Sequence, residues 1–123
     1  MTSKSRVKTI LLADDDESVR KFTKTVLESE GYRVIEAVDG EHAVNKFKDH
    51  RDCIRLLIFD IVMPKKNGRD AYAEILKMEP EIKALFLSGY DKVRQELPNE
   101  AVPFISKPFL IKVLLGQVKE LLI

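Results

Sequence analysis

The fold is decided by residues 9–17, which read TILLADDDE. After Thr9 the stretch is apolar without interruption up to Ala13, as is typical of a strand covered on both faces of a parallel sheet. Four consecutive acids, Asp14 to Glu17, follow at once. Ligands of open parallel sheets bind beyond the carboxyl ends of the strands. The stretch therefore predicts a buried strand that opens directly into a polar site.

The rest of the chain repeats this order of strand and helix four more times. Further strands are predicted over the apolar segments Arg33–Ala37, Ile54–Phe59, Ala84–Leu87 and Val102–Ser106, the last of them weakened by Pro103. Helical spacing of apolar residues predicts helices after four of the five strands, marked by Val19, Phe22, Val26 and Leu27; Ala43, Val44 and Phe47; Ala71, Tyr72, Ile75, Leu76 and Met78; and Ile111, Val113, Leu114, Leu115, Val118, Leu121 and Leu122. A short polar helix over residues 91–97 completes five βα units. This alternation predicts a doubly wound α/β fold with a parallel sheet.

Length and composition limit the chain to a few classes of protein. The 123 residues fit one domain, no linker or repeat divides them, and an apolar content of 45% supports a packed core. The net charge of +1 gives no strong field for nucleic acid or for an anionic membrane. No apolar run approaches the roughly 20 residues that span a bilayer. A single Cys53 closes no internal disulfide, so we expect a cytoplasmic domain over residues 1–123.

Chemically active side chains stand where four of the predicted strands end. Asp14 and Asp15 follow the first strand, Asp60 the third, Ser88 the fourth and Lys107 the fifth. Carboxylates that are crowded together repel one another unless a cation lies between them. Mg²⁺ prefers such oxygen ligands, and a carboxylate can also attack phosphorus to give an aspartyl phosphate. The arrangement predicts Mg²⁺-dependent phosphoryl transfer, in which the lysine and the serine bind phosphoryl oxygens.

Four blocks of the sequence resemble the response-regulator receiver domains of two-component signalling. They are ILLADDDE at residues 10–17, FDIVMP at 59–64 with Gly68 after it, LSG at 87–89 and SKPF at 106–109. They occur in the order of that family and cover essentially the whole chain. The resemblance implies a flavodoxin-like fold with strand order 2-1-3-4-5, and a phosphoacceptor module rather than an independent enzyme.

The resemblance also implies a role for each residue of the acidic cluster. Asp60 would accept a phosphoryl group from the phosphohistidine of a sensor histidine kinase or of a histidine phosphotransfer protein. Asp15, Asp60 and the backbone carbonyl of Val62 would bind Mg²⁺ or Mn²⁺ directly, and Asp14 would reach the metal mostly through water. The metal would be the only cofactor.

A switch is implied at the other two blocks. Ser88 and Lys107 would bind the phosphoryl oxygens, and the Lys107–Pro108 peptide bond would be cis. Movement of Ser88 would let Phe104 turn inward and change the surface of the predicted fourth helix, fifth strand and final helix, where a phosphorylation-linked homodimer is possible. The sequence LSGY at 87–90 is similar to receivers fused to hybrid histidine kinases, so the chain is either a stand-alone regulator or part of such a kinase.

Most of these residues also have a structural interpretation, which is weakest for Asp60 because an acid directly after an apolar strand is poorly solvated. Asp16 and Glu17 favour the start of a helix, and Asp14 and Asp15 could do the same. Ser88 and Lys107 could simply form turns, and Phe104 could belong to the core.

Two other functions compete with the receiver. The first is a Mg²⁺-dependent phosphatase or phosphotransferase that uses an aspartate nucleophile on a small substrate. Such enzymes commonly place an acidic residue two positions after the nucleophile, where this chain has Val62. The second is a degenerate receiver that only binds a partner and has no affinity for Mg²⁺.

Overall fold

The computed structural model describes residues 7–89 and 102–123, and within them five parallel strands form one sheet in the order β2-β1-β3-β4-β5. The elements are β1 Thr9–Ala13, α1 Glu17–Ser29, β2 Arg33–Ala37, α2 Gly40–Asp49, β3 Ile54–Asp60, α3 Gly68–Met78, β4 Lys83–Ser88, β5 Phe104–Ser106 and α4 Ile111–Leu121. This is the flavodoxin-like, doubly wound fold with the expected strand order. Tyr90 and the helix predicted over 91–97 lie outside the described residues.

Strand β1, which lies between β2 and β3, contributes side chains to two apolar cores. Leu11 and Ala13 face the core that α2 and α3 cover, whereas Ile10 and Leu12 face the core under α1 and α4. Because side chains alternate along a strand, an apolar run fills both cores at once. This explains why all five residues of β1 are buried. Helices therefore cover both faces of the sheet, and its carboxyl edge lies between them.

Capping residues determine where the helices begin and end. Asp16 caps α1 by accepting from the Val19 N–H at 3.1 Å, which confirms its predicted capping role. Asp39 and Asn67 cap α2 and α3 in the same way. Gly31 has a φ of +93° just after α1, as the sequence predicts for a helix C-terminus.

A few boundaries and faces differ from the sequence-based prediction. Strand β5 begins at Phe104 rather than at Val102, since Pro103 lacks the N–H that a ladder requires. Phe22 was expected on the buried face of α1, but it is 51% exposed, and Arg20 takes a buried position instead. In α4 the apolar face is narrower than predicted, since only Leu114 and Val118 of the helix are buried.

Among the described residues, no helix combines the length and the apolar character that crossing a bilayer demands.

Candidate functional site

The carboxyl edge of the sheet brings the predicted site residues together. Asp14 follows β1, Asp60 and Ser88 are the last residues of β3 and β4, and Lys107 follows β5. The parallel registers pair Asp60 with Leu87 and Ser88 with Ser106, so these strand ends lie side by side. The topology, rather than any local motif, gathers residues that lie as far as 93 positions apart in the chain.

Three carboxylates and one ammonium form the centre of this edge. One carboxylate oxygen each from Asp14, Asp15 and Asp60 lies within 4.8 Å of the others. Asp14 and Asp60 are only 1% and 8% exposed, whereas Asp15 is exposed. Lys107 Nζ donates to Asp14 Oδ2 at 2.9 Å and to Asp60 Oδ2 at 3.2 Å. A single ammonium does not balance three carboxylates, so the cluster favours a further cation.

Burial and charge change the acidity of the groups in this cluster. Burial raises the pKa of Asp60 to about 6, and the negative charge of Asp14 adds to the effect. The charge and hydrogen bond of Lys107 and a hydrogen bond with the backbone of Val62 act in the opposite direction. For Lys107, burial lowers the pKa, but the hydrogen bonds and charges of Asp14 and Asp60 outweigh it and raise the pKa above its ordinary value. The ammonium is therefore firmly charged beside a carboxylate that is poorly hydrated.

The loop after Asp60 is held by a close approach of backbones. The Gly68 N–H donates to the Ile61 carbonyl at 2.8 Å. A Cβ atom at Gly68 would lie 2.2 Å from the carbonyl oxygen of Asp60, so no larger residue fits without movement. A Cβ atom at Gly40 would likewise lie 1.9 Å from the Lys66 carbonyl oxygen. Two helix N-termini thus confine the loop, and the lack of a side chain explains why both positions are glycine.

The remaining predicted residues take different places. Ser88 is fully buried at the edge, and its carbonyl accepts from the Lys107 N–H at 2.7 Å. Val62 has a side chain that is 56% exposed. Phe104 lies three residues before Lys107 and is half-buried against the core that contains Phe86, so it packs against the core rather than in the carboxylate cluster. The Lys107–Pro108 bond is cis, as the resemblance implies.

One contact at the site was not predicted from the sequence. Arg20 is 7% exposed, and its Nη1 donates to the carbonyl of Asp14 at 2.8 Å while its Nε donates to Glu36 Oε1 at 2.9 Å. Lys21 and Lys24 each place Nζ 3.1 Å from the other oxygen of Glu36. Two features of the sequence could have predicted this contact. Arg20 stands at a core-facing position of α1, and Glu36 is an acid within the neighbouring strand β2.

A doubly wound parallel sheet with this cluster at its carboxyl edge is the arrangement expected of a phosphoacceptor domain of two-component signalling. The chain belongs to the response regulator receiver domain family, whose sequence profile matches residues 10–119. The role of the domain is that of a phosphoacceptor module, and the small-substrate phosphatase is not favoured. Domains of this family interact in general with histidine kinases or phosphotransfer proteins.

Individual relatives agree with this assignment. The chain is 37% identical to sensor kinase CckA of Brucella abortus over 117 residues, which are 93% of this chain and 12% of the kinase. It is 31% identical to the response regulator receiver protein CpdR of the same organism, over 95% of this chain and 98% of that protein. Response regulator TrrA of Thermotoga maritima, solved in complex with Mg²⁺ and BeF, superposes with a TM-score of 0.85 at 34% identity and covers 94% and 99% of the two chains. The chain thus matches a small part of one relative and nearly all of another.

Proposed function

We propose that Asp60 is the residue that accepts the phosphoryl group. The observation that carries the proposal is the cluster itself, in which Lys107 contacts both Asp14 and Asp60 and three carboxylates lie within 4.8 Å of one another. Asp60 ends the strand between Asp14 and Ser88, so it has acidic neighbours on one side and a hydroxyl on the other. A nucleophile at this position therefore lies next to carboxylates that can bind a metal and next to groups that can bind phosphoryl oxygens.

In the proposed reaction a carboxylate oxygen of Asp60 attacks the phosphorus of a phosphohistidine. The new P–O bond forms as the P–N bond breaks, and the electron pair of that bond remains on the imidazole nitrogen, which then takes a proton. The Lys107 ammonium and the Ser88 hydroxyl bind phosphoryl oxygens, on which negative charge accumulates. Attack of water on the aspartyl phosphate then breaks the bond between phosphorus and the aspartyl oxygen, which releases inorganic phosphate and restores the Asp60 carboxylate. The domain therefore catalyses only its own phosphorylation and dephosphorylation.

The donor set of the site fits a hard divalent cation. Carboxylates of Asp14, Asp15 and Asp60, with the backbone carbonyl of Val62, would hold Mg²⁺ or Mn²⁺, and Asp14 would act mostly through water. The bound ion would neutralise charge on the phosphoryl oxygens. Support comes from the oxygen-only cluster and from the Mg²⁺–BeF complex of TrrA.

We further propose that Ser88 and Phe104 transmit phosphorylation to the surface. Ser88 is fully buried on the strand next to β3. A hydrogen bond from its hydroxyl to a phosphoryl oxygen would therefore pull the following residues toward Asp60. Phe104 lies half-buried on the edge strand β5, where an inward turn of its ring would alter the surface between β5 and α4. A partner or a second phosphorylated copy would bind this surface.

The likeness to CckA supports further proposals about the biological setting. Residues 1–123 would form one receiver domain, either alone or within a hybrid histidine kinase. The phosphodonor would be a sensor histidine kinase or a histidine phosphotransfer protein. The single exposed Cys53 suits the reducing cytoplasm, where we place the domain.

The proposal is tested by labelling with ³²P-acetyl phosphate in MgCl₂. We expect the wild type to be labelled, and Asp60→Asn, which keeps the size but loses the nucleophile, to lose at least nine-tenths of the label. The matched control is Asp49→Asn, an exposed aspartate at the end of α2, which should label like the wild type. Full labelling of Asp60→Asn would overturn the assignment, as would wild-type labelling that survives removal of Mg²⁺ by EDTA.

A further inference from the structure

The Arg20 side chain connects the acidic loop to the edge of the sheet. Arg20 lies in the first turn of α1 and is almost fully buried. Its side chain bridges the carbonyl of Asp14 and the carboxylate of Glu36 on β2. We propose that Arg20, itself oriented by Glu36, is a positioning residue that fixes Asp14 for divalent-cation binding. This inference rests on the proposed function of the acidic cluster.

Every polar group of Asp14 has a partner in the structure. Its N–H donates to the Ala37 carbonyl at 3.2 Å, and its carbonyl accepts from Arg20 at 2.8 Å. Its Oδ1 accepts from the Asp16 N–H at 2.9 Å, and its Oδ2 accepts from Lys107 at 2.9 Å. Binding a metal would compete for the carboxylate oxygens, whereas the two backbone bonds can persist. Of those two, the bond from Arg20 depends on a side chain, so a substitution can remove it.

Glu36 fixes the orientation of the guanidinium. Its Oε1 accepts from Arg20 Nε, and its Oε2 accepts from both Lys21 and Lys24 on the same helix. A guanidinium has donors in a rigid planar fork, so fixing Nε toward Glu36 also aims Nη1 at the Asp14 carbonyl. Groups that orient metal ligands typically change metal affinity by about 10- to 100-fold when they are removed.

Coulomb's law and positioning predict opposite effects for the loss of Arg20. The guanidinium is a positive charge beside an anionic site, so its field alone disfavours a bound cation, and its removal should tighten Mg²⁺ binding. If Arg20 fixes Asp14, its removal should weaken binding because the loop loses its preferred geometry. The sign of the change therefore separates the two roles, and a purely structural role would change stability without changing affinity.

The experiment is a titration of the full chain with MgCl₂ by calorimetry, with Mn²⁺ binding followed by electron paramagnetic resonance. We expect Arg20→Ala to weaken binding of either ion about tenfold. The matched control, Lys21→Ala, removes a charge and a Glu36 contact from the same helix but touches no atom of Asp14, so its affinity should not fall. Equal or tighter binding by Arg20→Ala would overturn the inference.

Arg20→Lys keeps the test decisive if Arg20→Ala does not fold, and a double variant tests the role of Glu36 if it does fold. Arg20→Lys keeps the charge but cannot span both acceptors as Nε and Nη1 do, so binding should weaken about threefold; an unchanged affinity would overturn the inference. The double variant Arg20→Ala/Glu36→Gln should bind Mg²⁺ no more weakly than Arg20→Ala does. A further, additive loss of affinity would mean that Glu36 acts by its charge alone and not through Arg20. A wild type that binds no Mg²⁺ would instead contradict the proposed function.

Discussion

At the scale of single residues, Asp60 is a carboxylate placed where water solvates it poorly. Burial raises its pKa to about 6 although Lys107 lies 3.2 Å away. A charge that lacks hydration gains more from a nearby cation than an exposed charge does, because the cation replaces the missing water. On our proposal, this poor hydration suits Asp60, rather than the exposed Asp15, to react with a phosphoryl group.

Glu36 gives a prediction of pH-dependent stability. Burial of this carboxyl tends to raise its pKa, but hydrogen bonds from Arg20, Lys24 and Lys21 lower it to about 2, from an ordinary value of 4.5. Because the folded-state pKa is depressed, the stabilisation is fully present above pH 4.5 and is lost as the pH falls toward 2. We expect Glu36→Gln to lower the free energy of unfolding by about 1–2 kcal/mol at pH 7, and by less at pH 3.

Urea unfolding at both pH values measures this difference. Glu120→Gln, at an exposed position of α4, serves as the control and should change the free energy of unfolding by less than about 0.5 kcal/mol at either pH. A destabilisation of Glu36→Gln that is equally large at pH 7 and pH 3 would show that the ion pairs are not its source.

At the scale of elements, the junction between β3 and α3 is set by Gly68. The backbone of this residue approaches the Asp60 carbonyl so closely that a methyl group would overlap it. We expect Gly68→Ala to lower the free energy of unfolding by about 2 kcal/mol, the usual cost of overpacking. Gly116→Ala is the matched control, since nothing lies within 4 Å of a Cβ there in α4 and alanine should stabilise that helix by about 0.5–1 kcal/mol. Changes of the same sign in the two variants would contradict this account of Gly68.

The sequence predicted most elements because each follows from local rules. Continuous apolar runs predicted β1 and β3, and the capping role of Asp16 follows from the preference of acids for helix starts. The role of Gly68 was not predicted, because a close approach between two backbones depends on tertiary packing. Arg20 was missed for a related reason: its contacts depend on how α1 lies against β2, which a helical spacing alone does not define.

At the scale of the whole molecule, the site exists because the sheet is parallel. All five strands point the same way, so their carboxyl ends meet at one edge and join residues from both ends of the chain. The sequence predicted which side chains would gather there, and the strand order followed from the family resemblance rather than from spacing. Distances such as the 2.9 Å between Lys107 and Asp14 needed the assembled fold.

The central claim is that one phosphoryl group is carried by Asp60. It is tested most directly by treating the chain with acetyl phosphate and MgCl₂, trapping the acyl phosphate with borohydride, and mapping the modified residue by peptide mass spectrometry. We predict one modification per chain, on Asp60, that depends on the divalent cation. Modification of Asp14, Asp15 or another residue with Asp60 left intact would contradict the claim.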